Sequence, residues 1–176
     1  FAQILQCGSI QANRNLEIQD EQNLGCAPLP WAIPHPMAMV TNKKTHLFKS
    51  NVSHYEMMRD LNRQWRQWTI DEPAVFITFN GMSYDEELVR RQFYWNLFES
   101  YLTNTNGNSR LDILLMIHNV AAFFPNILNI PFFEGGPGIS IKQADIAAAN
   151  GFEIGDAHDA IADCKLMISL LEKMNQ

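Results

Sequence analysis

The chain has 176 residues, 47% of them apolar and 18% charged, the composition of one globular domain able to bury a core. Its three cysteines, Cys7, Cys26 and Cys164, are widely spaced with no CxxC pair, which excludes a structural zinc knuckle and points to a reducing, cytoplasmic setting. A formal net charge of −6 argues against a broadly basic nucleic-acid surface, although the centre of a metal nuclease is itself acidic. No apolar run approaches the ~18 residues of a membrane span, and no secretory leader is read at the start.

The first twenty residues predict two strands. Ile4, Leu5 and Ile10 precede a turn at Asn13-Arg14-Asn15, and Leu16 and Ile18 follow it. A chain that opens on Phe1, directly in a strand-like run, is read as lacking its natural N-terminus. Pro28, Pro30, Pro34 and Pro36 make residues 26–36 an extended loop, because proline has no backbone donor for a helix or central strand. The capping box Ser53-x-x-Glu56 opens a helix whose apolar face is Tyr55, Met58, Leu61, Trp65 and Trp68.

Ala74 to Phe79 has the length of a buried strand. A second capping box, Ser83-x-x-Glu86, predicts a helix with Leu88, Trp95 and Phe98 inward, and Asn104 to Asn108 is a polar loop. Leu111 to Ala122 reads as a helix, and Phe123 to Gly138 as an irregular loop. Ser140-x-x-Gln143 predicts a short helix ending at Asn150-Gly151, a left-handed C-cap pair. The last helix is expected from about Asp159 to Met174. Strands followed by helices interleaved with a further strand define an α/β domain over residues 1–176, with helices packed on a sheet.

Two segments carry chemistry. In His158-Asp159-Ala160-Ile161-Ala162-Asp163, positions five apart on a helix diverge by about 140°. A helix starting near Asp159 leaves His158 in the preceding loop, free to approach a centre that Asp163 reaches from the second turn. Asp159 itself suits the helix start, where a carboxylate offsets unpaired amides. In Phe79-Asn80-Gly81-Met82-Ser83-Tyr84-Asp85-Glu86-Glu87, a strand end is followed by a turn and a helix, which places Asp85 where side chains of several elements converge. The basic groups Lys43, Lys44 and Lys49, Arg59, Arg63 and Arg66, and Arg90 with Arg91 read first as solvated surface.

Together the two segments resemble the second and third motifs of the histidine-bearing branch of the DEDD 3′→5′ exonucleases. The likeness to bacterial exonuclease I extends through Arg91, Phe93-Tyr94, Asn96, Ser109-Arg110-Leu111-Asp112 and Ala149-Asn150-Gly151, and includes the proline-rich approach from Leu29-Pro30 to Val40-Thr41. The resemblance implies a ribonuclease H-like mixed sheet flanked by helices, and hydrolysis of single-stranded DNA from its 3′ end to mononucleotides. It implies two Mg²⁺ or Mn²⁺ ions clamping the attacking and leaving oxygens. Asp85 and Asp163 would be metal ligands, and His158 would take the proton of the attacking water. Asn80, Tyr84 and Thr41 would lie on the substrate side.

The pattern also breaks. The family's first motif, Asp-x-Glu, is absent upstream of the two segments, and Asn42 stands where a glycine is usual. The sheet is therefore expected to lack its first strand, the chain to bind metal weakly and to be inert, and the open sheet edge to recruit a second copy or a strand from elsewhere. A non-catalytic nucleic-acid-binding or protein-interaction module of the same fold is the alternative.

Overall fold

The structure, a computed structural model, describes residues 2–37, 40, 43–133, 138–153 and 159–175. Strands β1 (Gln6–Ala12) and β2 (Ile18–Gly25) form an antiparallel hairpin with Gln6 opposite Gly25. Its turn is built on Asn13, whose side chain accepts the amides of Asn15 and Glu17, while Leu16 takes a left-handed conformation. Asx side chains commonly hold such turns. Helix α1 (His54–Trp68) follows, capped as its sequence predicts: Ser53 and Glu56 satisfy each other's backbone amides reciprocally.

Strand β3 (Val75–Thr78) leads through a 3-10 turn, Gly81–Ser83, into α2 (Asp85–Trp95). Strand β4 (Ser109–Asp112) pairs parallel with β3, Val75 facing Ser109 and Thr78 facing Asp112. It runs directly into α3 (Ile113–Phe123), and α4 (Gln143–Ala149) and α5 (Ala160–Met174) complete the chain.

The fold is α/β. Both kinds of pairing of a mixed sheet are present, but they fall in two separate two-stranded sheets among the described residues. Successive strand residues face opposite ways, and β3 sorts the core accordingly. Phe76 packs with Met57, Met58, Leu61, Trp65 and Phe93 of α1 and α2, together with Cys7 and Leu24 of the hairpin. Ile77 and Phe79 pack with Ile113, Ile117, Ile146, Leu170 and Met174 of α3, α4 and α5. Helices thus cover both faces of the strand layer, and Trp65 sits edge-on to Phe93 at 5.9 Å.

Three sequence expectations give way. Helix α2 begins at Asp85 rather than Ser83, because Ser83 is spent in the 3-10 turn and Tyr84 makes no side-chain cap. Its buried residues are Gln92 and Phe93, with Phe98 packed against the core as expected and Leu88 partly buried, while Trp95 is exposed. The segment from Leu111 is half strand: apolar Leu111 belongs to β4, and the helix waits for Asp112 as N-cap. Similarly, α4 starts at Gln143 with Lys142 at the cap position, and Ser140 bonds the Asp145 carboxylate instead.

Candidate functional site

The carboxyl ends of β3 and β4 bring one end of the molecule into order. After Thr78 the chain turns back over its own strand. Asn80 sits in the left-handed region at φ 58°, and a Cβ at Gly81 would lie only 2.4 Å from the Thr78 side chain. Only glycine can make that approach. Asp85 then heads α2 in a first turn that also holds Glu86 and Glu87, where carboxylates are favoured by the free amides and dipole of the helix.

Asp85 keeps contact with solvent, yet the protein around it pushes its carboxyl above the ordinary aspartate range, with the nearby Asp112 charge adding to that burial effect. Glu86 points inward and is raised as well, first by burial, while the Arg110 guanidinium opposes the shift. The Glu86–Arg110 pair closes at 2.9 Å with side chains only 10% and 19% exposed, and the second Glu86 oxygen finds no hydrogen-bond partner.

Asp163 lies in the first turn of α5, four residues after the N-cap Asp159, whose side chain accepts the Ala162 amide and pairs with Lys44 at 3.4 Å. The Asp163 carbonyl accepts from the Gln143 side chain at 2.7 Å, joining α4 to this turn. Strand β1 runs against the start of α5. At Gly8 it passes so close to α5 that an added Cβ would meet Ala160 at 2.7–2.8 Å. The half-buried Cys7 thiol is pushed up to about 12, chiefly by burial and then by Cys164 and Asp85. Cys164 is raised to about 11 by burial, with Asp163 next. Both sulfurs donate to the Gly8 carbonyl. Cys7 therefore lies within electrostatic reach of Asp85 and of Cys164, the residue that follows Asp163.

Of the other residues picked from sequence, Asn80 and Tyr84 are exposed beside Asp85. His158 and Thr41 lie outside the described residues. Among the described residues no group of three or more His, Cys, Asp or Glu side chains is placed to hold a metal ion. Most of the arginine clusters are engaged by acids: Arg59 and Arg63 on Asp60, Arg66 on Glu99, Arg90 and Arg91 on Glu87. That is the solvated-surface reading.

Sequence reasoning missed Asp112. It is only 4% exposed and accepts three backbone amides, and its one local signal was an aspartate preceding an apolar helical run, the mark of an N-cap.

No family model matches the chain. It is 28% identical over 169 residues to exodeoxyribonuclease I of Buchnera aphidicola from Acyrthosiphon pisum, covering 94% of this chain and 40% of that protein. The fold superposes on Escherichia coli exonuclease I in complex with a dT13 oligonucleotide with a TM-score of 0.89 at 21% identity, over 99% of this chain and 37% of that one. The zinc-bound form of the E. coli exonuclease I complex with single-stranded DNA gives 0.86 at 20% identity, over 97% and 36%. The chain is thus similar to exonuclease I in sequence and shares its fold, while spanning about two fifths of the length of these proteins.

Proposed function

We propose that this chain is the greater part of the nuclease domain of a 3′→5′ exonuclease that degrades single-stranded DNA to mononucleotides. The observation that carries the reading is that Asp85 and Asp163 each stand in the first turn of a helix, while β1 packs on α5 at Gly8 and its Cys7 thiol feels the Asp85 charge. These are the two carboxylates that the sequence segments single out, 78 residues apart in the chain.

In this reading Asp85 and Asp163 offer oxygen donors of the kind Mg²⁺ or Mn²⁺ accepts. When bound, two such ions supply charge stabilisation for the attacking and leaving oxygens. His158 accepts the proton of the attacking water, while Asn80, Tyr84 and Thr41 shape the pocket of the terminal nucleotide. The donor set is short, however. Asp112 has its oxygens committed to amides and Glu86 is held by Arg110, so two acids and one histidine remain. We therefore take the 176-residue chain alone to be inert, needing an Asp-x-Glu strand to complete its sheet. The division of the strands into two separate pairs supports this, because β1 and β3 each leave one edge without a ladder partner among the described residues. Such edges favour strand exchange or homodimerisation. No helix among the described residues is long and apolar enough to cross a membrane.

The test uses 5′-labelled single-stranded DNA with Mg²⁺ or Mn²⁺. The chain alone should leave the labelled strand at full length, and the chain extended upstream by an Asp-x-Glu strand should shorten it stepwise from the 3′ end. Activity of the extended protein that survives Asp163→Ala and Asp85→Ala would overturn the assignment. Degradation by the chain alone, abolished by Asp163→Ala, would overturn its inertness.

A further inference from the structure

We infer that Asp112 is a positioning residue for Asp85, acting as a clamp that sets where α2 begins. The inference rests on the reading of Asp85 as a metal-facing carboxylate. An N-cap needs one bond, and Asp112 supplies it: Oδ1 accepts the Leu114 amide at 3.0 Å at the start of α3. The same carboxylate then reaches a different part of the chain. Oδ1 also accepts the Asn80 amide at 2.8 Å, and Oδ2 accepts the Met82 amide at 3.2 Å.

Both of those donors belong to the turn between β3 and α2, 30 or more residues earlier in sequence. That turn has little else to define it. Asn80 holds a left-handed conformation without being glycine, the 3-10 turn has no side-chain cap, and Tyr84 caps nothing at the head of α2. Non-glycine residues keep such backbone angles only where their surroundings over-determine them. Here the surroundings are a buried carboxylate and the Thr78 side chain under Gly81. Asp85 is three residues beyond Met82, so its place follows from where the clamp holds the turn. The parallel register, with Thr78 opposite Asp112, puts the carboxylate beside the turn it holds.

Two variants separate the clamp from the cap and from the charge. Asp112→Ser keeps a cap for Leu114, but its shorter hydroxyl cannot reach Asn80 and Met82. Asp112→Asn keeps an Oδ1 acceptor for Asn80 and Leu114 and loses the Oδ2 bond to Met82 together with the charge. In Asp112→Ser, amide hydrogen exchange at Asn80 and Met82 should accelerate at least tenfold while Leu114 stays within about twofold, and the Asp85 ¹³Cγ resonance should shift and broaden. In Asp112→Asn only Met82 should accelerate, with a smaller change at Asp85. Should the serine variant fail to fold, the selective opening of Met82 in Asp112→Asn decides the matter.

Unchanged exchange at Asn80 and Met82, or an Asp85 resonance that stays put while they open, overturns the inference. An equal Asp85 displacement in both variants also does so, since charge and not geometry would then be acting. Paramagnetic broadening of Asp85 by Mn²⁺ in the chain extended upstream by an Asp-x-Glu strand tests the metal-facing reading by itself. Its absence there would remove that reading even if the clamp behaves as described.

Discussion

Gly8→Ala is the substitution that tests the packing between β1 and α5, and with it the placement of Asp163. A Cβ at position 8 would lie 2.7 Å from the Ala160 carbonyl carbon and 2.8 Å from its Cβ and its oxygen. Carbon atoms rest about 3.5–4.0 Å apart, so strand and helix must separate by roughly 0.8 Å. Two of the three obstructing atoms are backbone, which cannot rotate aside. Overpacking of this kind costs about 1–3 kcal/mol, offset by about 0.5–1 kcal/mol from removing a glycine from a strand interior.

The expected net loss is about 1–2 kcal/mol, or roughly 2–8 °C in Tm at about 2–4 °C per kcal/mol for a chain of this size. Urea denaturation should show a lower midpoint with an unchanged m-value. Gly25→Ala is the internal comparison. Its Cβ would meet only the tip of the Leu47 side chain at 2.8 Å, which can swing away, so that variant should lie within about 0.5 kcal/mol of wild type. If Gly25→Ala costs as much as Gly8→Ala, or Gly8→Ala is not destabilised, the reasoning about backbone approach is wrong.

Arg110→Ala should destabilise the chain by up to about 3 kcal/mol at pH 7, because it leaves Glu86 ionised in a nearly closed site. Glu86 is already raised above the ordinary glutamate range by burial, and losing Arg110 raises it further. The penalty should therefore shrink as the pH falls through the raised folded value and be gone below about 4.3, where the unfolded glutamate also takes up its proton; a pH-independent loss in urea titrations would contradict the assignment. The thiols give an alkaline counterpart. With Cys7 held near 12 and Cys164 near 11, both should resist an aromatic disulfide reagent at pH 8 until the chain is unfolded. Their contribution to stability is complete below the unfolded thiol value near 9 and is lost as pH rises through 11–12. Rapid stoichiometric labelling of the native chain at Cys7 would show that the β1–α5 contact is open.

Much of this molecule is legible locally. Ser53 with Glu56 fixes the start of α1, Asn150-Gly151 ends α4 with Gly151 at φ 79°, and Asp159 caps α5, because each signal is satisfied within one turn of chain. The segments around Asp85 and Asp163 suggest a chemistry through their resemblance to the exonuclease motifs, not through local hydrogen bonding. What sequence alone could not decide is where non-local pairing overrides a local preference. Leu111 reads as helical until parallel pairing with β3 claims Ser109–Asp112 as a strand. Ser83 reads as a helix cap until Gly81 is pressed onto Thr78 and the Asp112 carboxylate draws in the amides of Asn80 and Met82. Only the tertiary structure sets the start of α5 against β1, because that arrangement depends on a glycine of the first strand meeting an alanine 152 residues later. Local hydrogen bonding chooses the helices and turns; contacts between distant backbones decide where their ends, and the carboxylates they carry, finally stand.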